Sequence, residues 1–384
     1  MSAHTVADLA AAMETIAPLA LAEEWDNVGL LVGDPGARVG GPVLLTIDLT
    51  PAVIAEAESI KAGAIVAYHP PIFTPIKRLT ADDSRQHTIL RAVRAGMAVY
   101  SPHTALDSAP GGMCDWLADC VLPTGKPRSA DRRALVPKAL PRASEEAKIV
   151  TFVPAGELSK VRGALASAGA GRLGKYTVCS FATEGEGTFL GGPDSRPAVG
   201  KPEVLESAQE VRLEMVIPLR AVPLAMELLK GFHPYEEVPV DVYPLVGRPS
   251  RDTGAGRRLV LDKPVTMAQM AARLKAALKA THVQYAAAPA HGDGFTFSHV
   301  GLCPGAASNL LDAASREGCQ LFITGEMKHH EVLDANARGV SVLLGGHSTT
   351  ERGYLTILAA RLAELMPKAK FQTASSDKTL MQTV

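Results

Sequence analysis

"LLGGHSTTERG", residues 343–353, is the stretch on which the fold turns. An apolar run from Val340 to Leu344 stops at Gly345-Gly346, and His347 and Glu351 follow, four residues apart. A buried run that ends on glycines and then opens a helix is the repeating joint of an α/β sheet. Residues i and i+4 share one helix face. With His347 in the first helical turn, an imidazole and a carboxylate meet just past a strand end. An ordinary surface His and Glu at a helix start would fit the same letters, so the rest of the chain has to decide.

The same alternation recurs on either side. "QLFIT" (320–324) reads as a strand, with a helix after Lys328. "FSHVGLC" is the strand before it, and a helix separates the two after Pro304-Gly305. "RRLVLD" is a strand, and residues 266–279 form a helix with Met267, Met270, Leu274 and Leu278 on one face. Near the start, residues 5–20 have amphipathic spacing through Leu9, Met13, Ile16 and Leu19, with Thr5 as cap. "PVLLTID" (42–48), "AIVAY" (64–68) and "MAVYS" (97–101) read as strands. Thr50-Pro51 opens a helix, residues 83–95 form another that Gly96 ends, and a third starts after Pro110. Strands alternating with helices predict a mostly parallel sheet with helices on its faces.

The middle of the chain differs. Residues 122–147 carry Pro123, Pro127, Pro137 and Pro141 among many charges and read as a domain boundary. Beyond it come "AKIVTFVP" (strand), "ELSKVRGALASAG" (helix), "YTVCSFA" and "EVRLEMVIP" (strands), "AVPLAMELLKGF" (helix) and "VPVDVYPL" (strand). That order is βαββαβ, the ferredoxin-like signature. The expected architecture is an α/β core built from residues 1–125 and 247–384, interrupted by an inserted ferredoxin-like domain at 147–246.

Composition narrows the function. The chain has 384 residues, 47% hydrophobic and 21% charged, with a formal net charge of −1, so no global field favours nucleic acid. The basic run "GKPRSADRR" (125–133) is short and contains proline, and reads as a solvated linker. Five cysteines form no CxxC pair, which argues for a reducing compartment and against a thiolate zinc site. No basic segment followed by an apolar core opens the chain, and no apolar run reaches the ~18 residues of a membrane helix. A soluble cytoplasmic protein is the expectation.

In open α/β sheets, ligands bind outside the carboxyl ends of the strands. His69 follows the strand at 64–68, His103 and Asp107 follow 97–101, Glu326 follows 320–324, and His347 and Glu351 follow 340–344. Four strand ends thus deliver metal-competent side chains to one predicted edge. Imidazole and carboxylate ligands suit zinc, iron, manganese or nickel. A bridging carboxylate with further His and Asp ligands is how two-metal hydrolytic sites are built. Glu326 reads either as a substrate-facing acid or base or as a carboxylate favoured by a helix N-terminus. His103 either orients a ligand or caps its loop. His329 and His330, adjacent on a helix, point ~100° apart, so at most one faces a metal. Trp25, Asp26 and Asn27 form a loop that lines the cavity or packs beneath it. "HPYEEV", with His233, Glu236 and Glu237, reads as a turn into an edge strand rather than a second metal site. The glycines of 185–192 make no phosphate-binding loop.

The motifs "EWDNVGLLVGD" (24–34), "YHPPIF" (68–73), "HTALD" (103–107), "TGEMKHHE" (324–331) and "GHSTTERG" (346–353) together resemble the Nif-three-like dinuclear metal-centre family. The resemblance spans both ends of the chain. Between them, residues 169–191 and 233–245 resemble the PII/CutA-like insertion of longer members. It implies a core of two α/β halves with one or two divalent metal ions between them, held by His69, Asp107, His347 and Glu351. It also implies a homohexamer. Many members have His where this chain has Tyr68. A phenol with a reference pKa of ~10 must lose its proton to bind a metal well. Three roles are open to Tyr68: phenolate ligand, hydrogen-bond partner of a metal-bound water, or a side chain turned away.

Relatives labelled GTP cyclohydrolase type 2 homologues imply a metal-dependent hydrolase acting on a small molecule such as a purine nucleotide, with Glu326 or His103 moving protons. The alternative is a non-enzymatic protein that binds metal for homeostasis or regulation, and a third reading is an interaction scaffold linked to transcription. No DNA-binding motif is present, so direct nucleic-acid contact is not expected.

Overall fold

The structure is a computed structural model, and it describes residues 4–123, 130–140 and 144–379. The chain divides into two compact units, one formed by Met1–Lys138 with Ser250–Val384 and the other by Ala139–Pro249.

The larger unit is mixed α/β and holds two sheets. One has the strand order Gly29–Val32, Ala98–Ser101, Ala64–Ala67, Val43–Thr46, Phe371–Thr373. Its neighbours are parallel except for Gly29–Val32, which runs antiparallel to Ala98–Ser101. The three inner strands are buried at every residue, which is why they read as unbroken apolar runs rather than alternating ones. Their helices start where local chemistry directs. Thr50 caps Pro51–Ser59 by accepting from the Val53 amide, Asp83 caps Ser84–Arg94, and Thr5 forms a reciprocal capping box with Asp8.

The other sheet runs Gln284–Ala286, Ser341–Leu344, Leu321–Thr324, Thr296–Leu302, Arg248–Thr266, Ala130–Leu140. Its three central strands are parallel, and Gln284–Ala286 and Arg248–Thr266 pair antiparallel to their neighbours. Each half of the chain lends a strand to the other half's sheet: Phe371–Thr373 extends the first and Ala130–Leu140 the second. Arg257, fully buried, adds a further tie. It holds both Asp115 oxygens (2.7 and 3.1 Å) and the carbonyls of Ala109, Gly254 and Gly256. A buried cation with this many partners is costly to disrupt.

The structure departs from the sequence expectations at four places. The helix expected over 5–20 ends at Ile16, before Pro18, and Leu19 is left 37% exposed. Residues 122–147 include the division between the two units, at Lys138/Ala139, but Ala130–Leu140 is an unexpected strand with Ala134 and Leu135 buried. It sits at a sheet edge, where proline and charge are tolerated. The basic run is engaged there: Arg132 pairs with Asp115 and Asp119, and Arg133 with Glu317. Residues 125–129 of that run lie outside the described residues. Finally, the strand read at "YTVCSFA" begins only at Phe181, because Leu173 and Tyr176 exchange backbone hydrogen bonds in a tight turn.

The smaller unit has the element order βαββαβ. Its sheet order is Phe181–Leu190, Leu205–Ile217, Ala147–Val153, Val240–Pro244, antiparallel throughout. Helices Leu158–Ser167 and Val222–Phe232 share its core through Val161, Leu165, Ala225 and Leu229, which pack with Ile149, Leu213 and Met215.

Candidate metal centre

The parallel strands of the larger unit aim their carboxyl ends at one cavity of about 1750 Å³. Asp48, His69, His103, Asp107, Glu326, His347 and Glu351 all line it. His69 lies two residues past Ala64–Ala67 and His347 three past Ser341–Leu344. His103 and Asp107 lie on a short helix, His103–Ser108, that the sequence did not announce. Glu351 lies in the four-residue helix Thr349–Arg352, and His347 just precedes that helix rather than beginning it.

Three of these side chains converge. Ligand-capable atoms of His69, His347 and Glu351 lie within 4.8 Å of one another. Glu351 Oε1 is 3.6 Å from His69 Nε2 and 3.4 Å from His347 Nε2. Two ligand atoms each ~2.1 Å from a tetrahedral metal stand ~3.4 Å apart, so the spacing suits a metal between them. The far side of each ring is already used. His69 Nδ1 donates to Asp48 Oδ1 at 2.9 Å, and His347 Nδ1 donates to Glu326 Oε1 at 3.0 Å. A carboxylate behind a histidine fixes the tautomer that leaves Nε2 free to bind, and it raises the ring's basicity. Glu351 is 1% exposed, and its Oε2 is buried without a hydrogen-bond partner. A buried carboxylate with one oxygen unpartnered and the other facing two prepared imidazoles fits a divalent cation.

The local electrostatics agree. Burial alone would depress His69, but Asp48 and Glu351 outweigh it and raise the ring's pKa to about 10. The same paired carboxylates that hold a proton there favour a cation. Burial pushes the Asp48 carboxyl up, yet the hydrogen bond from His69 wins and holds it below its ordinary value.

Asp107 and Tyr68 stand beside this cluster and outside it. Tyr68 OH donates to Asp107 Oδ1 at 2.7 Å. The phenol hydrogen is thereby engaged by a carboxylate. Burial raises the phenol well above 10, and Asp107 and Glu351 reinforce the effect. Burial likewise lifts Asp107 to about 6, partly offset by the His103 charge and the Tyr68 hydrogen bond. His103 sits with its ring 5.3 Å from that of His69 and 5.4 Å from that of Tyr68. Its φ of 24° is one that L residues rarely adopt. Asp26 holds it there, accepting from His103 Nδ1 at 2.8 Å and from the Thr104 amide and hydroxyl. Burial opposes the Asp26 charge, but these donors keep its carboxyl below its ordinary value.

Two contributors were missed in the sequence. Asp48 ends "PVLLTID" and obeys the same strand-end rule as the residues chosen; only its acidic side chain hinted at it. Gly305 has φ 67°, and a Cβ there would lie 2.7 Å from Glu351 Oε1 and 3.3 Å from His347 Nε2. Its carbonyl accepts from the Gly325 and Glu326 amides and the Thr324 hydroxyl, knitting the two loops together. His329 and His330 are both exposed and do not line the cavity. Trp25 does line it, 58% exposed, and its ring meets that of Phe73 at 6.0 Å.

Known proteins share this chain's sequence and fold. The family model described as Duf34/NIF3 (NGG1p interacting factor 3) matches residues 4–379. A Mycobacterium tuberculosis protein named GTP cyclohydrolase 1 type 2 homolog is 34% identical over 340 residues, covering 88% of this chain and 86% of the relative. NIF3-like protein 1 of Bos taurus is 31% identical over 395 residues, covering 100% and 94%. Among solved structures, a Bacillus cereus protein related to NIF3 superposes with TM-score 0.74 at 28% identity, and a Staphylococcus aureus protein with TM-score 0.80 at 24%; each covers both chains in full. By sequence across nearly its whole length and by fold, the chain belongs to the Duf34/NIF3 family.

Proposed function

We propose that this protein is a divalent-metal-dependent hydrolase whose metal is held by His69, His347 and Glu351. The observation that carries the reading is the meeting of two carboxylate-backed Nε2 atoms with a buried, half-unpaired Glu351 carboxylate. A bound divalent ion would supply Lewis acidity and a water acidified toward ~7. Asp48 and Glu326 keep the two imidazoles in the binding tautomer. His103, gripped at Nδ1 by Asp26, presents Nε2 as the proton carrier. Glu326, 47% exposed in its side chain and bonded to His347, acts by orienting that ring. A dinuclear centre would further recruit Asp107, whose Oδ1 accepts from Tyr68 OH.

The substrate class follows from the relatives and the cavity wall. The bacterial relatives' name points to GTP. Trp25 and Phe73, 58% and 50% exposed, offer apolar ring faces to a planar base. Both tryptophans, Trp25 and Trp116, line the cavity, so intrinsic fluorescence reports on binding there. We further propose that residues 147–246 are an inserted PII/CutA-like domain between core segments 1–125 and 247–384, and that the chain works as a cytoplasmic homohexamer. Among the described residues no helix is long and apolar enough to cross a membrane.

The test is turnover of GTP and a panel of purine nucleotides by protein loaded with Zn²⁺, Mn²⁺, Fe²⁺ or Ni²⁺, beside Glu351→Ala. Metal-dependent product from the parent and none from the variant is expected. Tight metal loading without turnover on any nucleotide would overturn the hydrolase reading. It would favour metal binding for homeostasis or regulation.

A further inference from the structure

We propose that Asp377 is a positioning residue of the metal centre, whose two carboxylate oxygens tie the strand end that supports His69 to the short helix that presents Glu351. The proposal rests on the metal reading above and adds to it a residue that does not itself line the cavity.

Asp377 lies just past the edge strand Phe371–Thr373 and is 7% exposed. Its Oδ2 accepts from the Ile47 amide at 2.7 Å, across 330 residues of sequence. Ile47 is the joint of one side of the centre. Its carbonyl accepts from the His69 amide at 3.0 Å, and the next residue, Asp48, backs the His69 ring. Asp377 Oδ1 accepts from Arg352 Nη2 at 2.9 Å, and Arg352 directly follows Glu351. Arg352 Nη1 donates to Thr379 Oγ1 at 3.0 Å. One buried carboxylate thus grips the backbone beside one ligand and the side chain beside another.

The Ile47 amide needs only an acceptor, which a neutral side chain would supply. The charge serves Arg352. That side chain lines the cavity, 25% exposed, in company with His69, His347 and Glu351. An unpaired guanidinium there would repel an incoming cation. Paired with Asp377, it is neutralised and fixed. Fixing it matters because Glu351 sits in a helix of four residues, Thr349–Arg352, too short to hold its geometry without outside contacts. The segment that carries Asp377 is itself firmly seated. Glu56 takes the amides and hydroxyls of Ser375 and Ser376, and the Ala374 amide donates to Leu45 O at 2.8 Å.

The experiment compares three variants with the parent. Asp377→Asn keeps an acceptor for the Ile47 amide and takes the charge away from Arg352. Asp377→Ala removes both contacts. Glu56→Gln loosens the same segment without touching Ile47 or Arg352. Zinc affinity is measured against a competing chelator, and the visible absorption of the Co²⁺-loaded protein reports ligand geometry; circular dichroism confirms folding. Zinc affinity should fall about 10-fold in Asp377→Asn and further in Asp377→Ala, within the ~10–100-fold range for groups that support a ligand. The cobalt spectrum should change in both, and Glu56→Gln should keep the parental affinity and spectrum. Parental affinity and spectrum in Asp377→Asn, or an equal loss in Glu56→Gln, would overturn the proposal while leaving the metal reading intact. No uptake of zinc or cobalt by the parent would overturn the metal reading itself. The comparison of Asp377→Asn with Glu56→Gln decides the matter even if Asp377→Ala does not fold.

Discussion

Two of the histidines that have a carboxylate four residues further on, His347 and His233, differ in what their ring nitrogens do. His347, with Glu351, stands at the cavity of the larger unit; His233, with Glu237, stands in the smaller unit. His233 has spent both ring nitrogens on backbone: Nε2 donates to Phe152 O at 3.0 Å, and Nδ1 accepts from the Tyr235 amide at 3.2 Å. Burial lowers its pKa. The neighbouring Glu236 accepts from the Arg196 amide. His347 has spent one nitrogen only, on Glu326, and aims the other at Glu351. The comparison teaches that spacing does not make a ligand. An uncommitted ring nitrogen, oriented by a carboxylate behind it and facing a carboxylate in front, does.

This contrast sets the order of expected effects. Glu351→Ala removes the carboxylate that faces both rings, so metal content and metal-dependent turnover should fall to background; elemental analysis reads the first and product assay the second. Gly305→Ala should come next. Its Cβ would crowd Glu351 Oε1 at 2.7 Å in a backbone conformation that disfavours a side chain. Zinc affinity measured against a competing chelator should drop by more than the loss in Asp48→Ala. Asp48→Ala removes the support behind His69 and should cost ~10–100-fold in zinc affinity. His233→Ala should leave zinc content unchanged and instead lower the thermal stability of the smaller unit by ~1–3 kcal/mol, because a buried carbonyl and amide lose their partner. Equal zinc loss in His233→Ala and Asp48→Ala would erase the distinction.

The smallest effect lies away from the cavity. Glu56 binds the amides and hydroxyls of Ser375 and Ser376, anchoring the segment after Phe371–Thr373. Slight burial opposes its charge, but those donors pull its carboxyl from 4.5 to about 2. A depressed folded pKa gives stability that is present above about 4.5 and lost as pH falls toward 2. Glu56→Gln should therefore lower the melting temperature modestly at pH 6, and the gap from the parent should narrow as pH approaches 3. A gap that stays constant across that range would contradict the assignment.

Much of the core was legible because its signals are local. Thr50-Pro51, Thr5 with Asp8, and Gly96 each act within a turn of themselves, and the inner strands are continuous apolar runs. What was not legible depends on distant partners. Ala130–Leu140 looks like a linker until Arg132 meets Asp115 and Asp119, and Phe371–Thr373 is too short to declare itself without Val43–Thr46. The candidate site divides the same way. His69, His347 and Glu351 could be picked from strand ends and family motifs. Asp48 behind His69, the space that Gly305 keeps open, and the Tyr68–Asp107 bond arise only when loops 21 to 45 residues apart in sequence are brought together.

The most direct measurement is anomalous diffraction at the zinc absorption edge from crystals grown with Zn²⁺. A strong peak bounded by His69 Nε2, His347 Nε2 and a Glu351 oxygen is the predicted result. No peak there, or a peak held by Asp107 and not by Glu351, would contradict it.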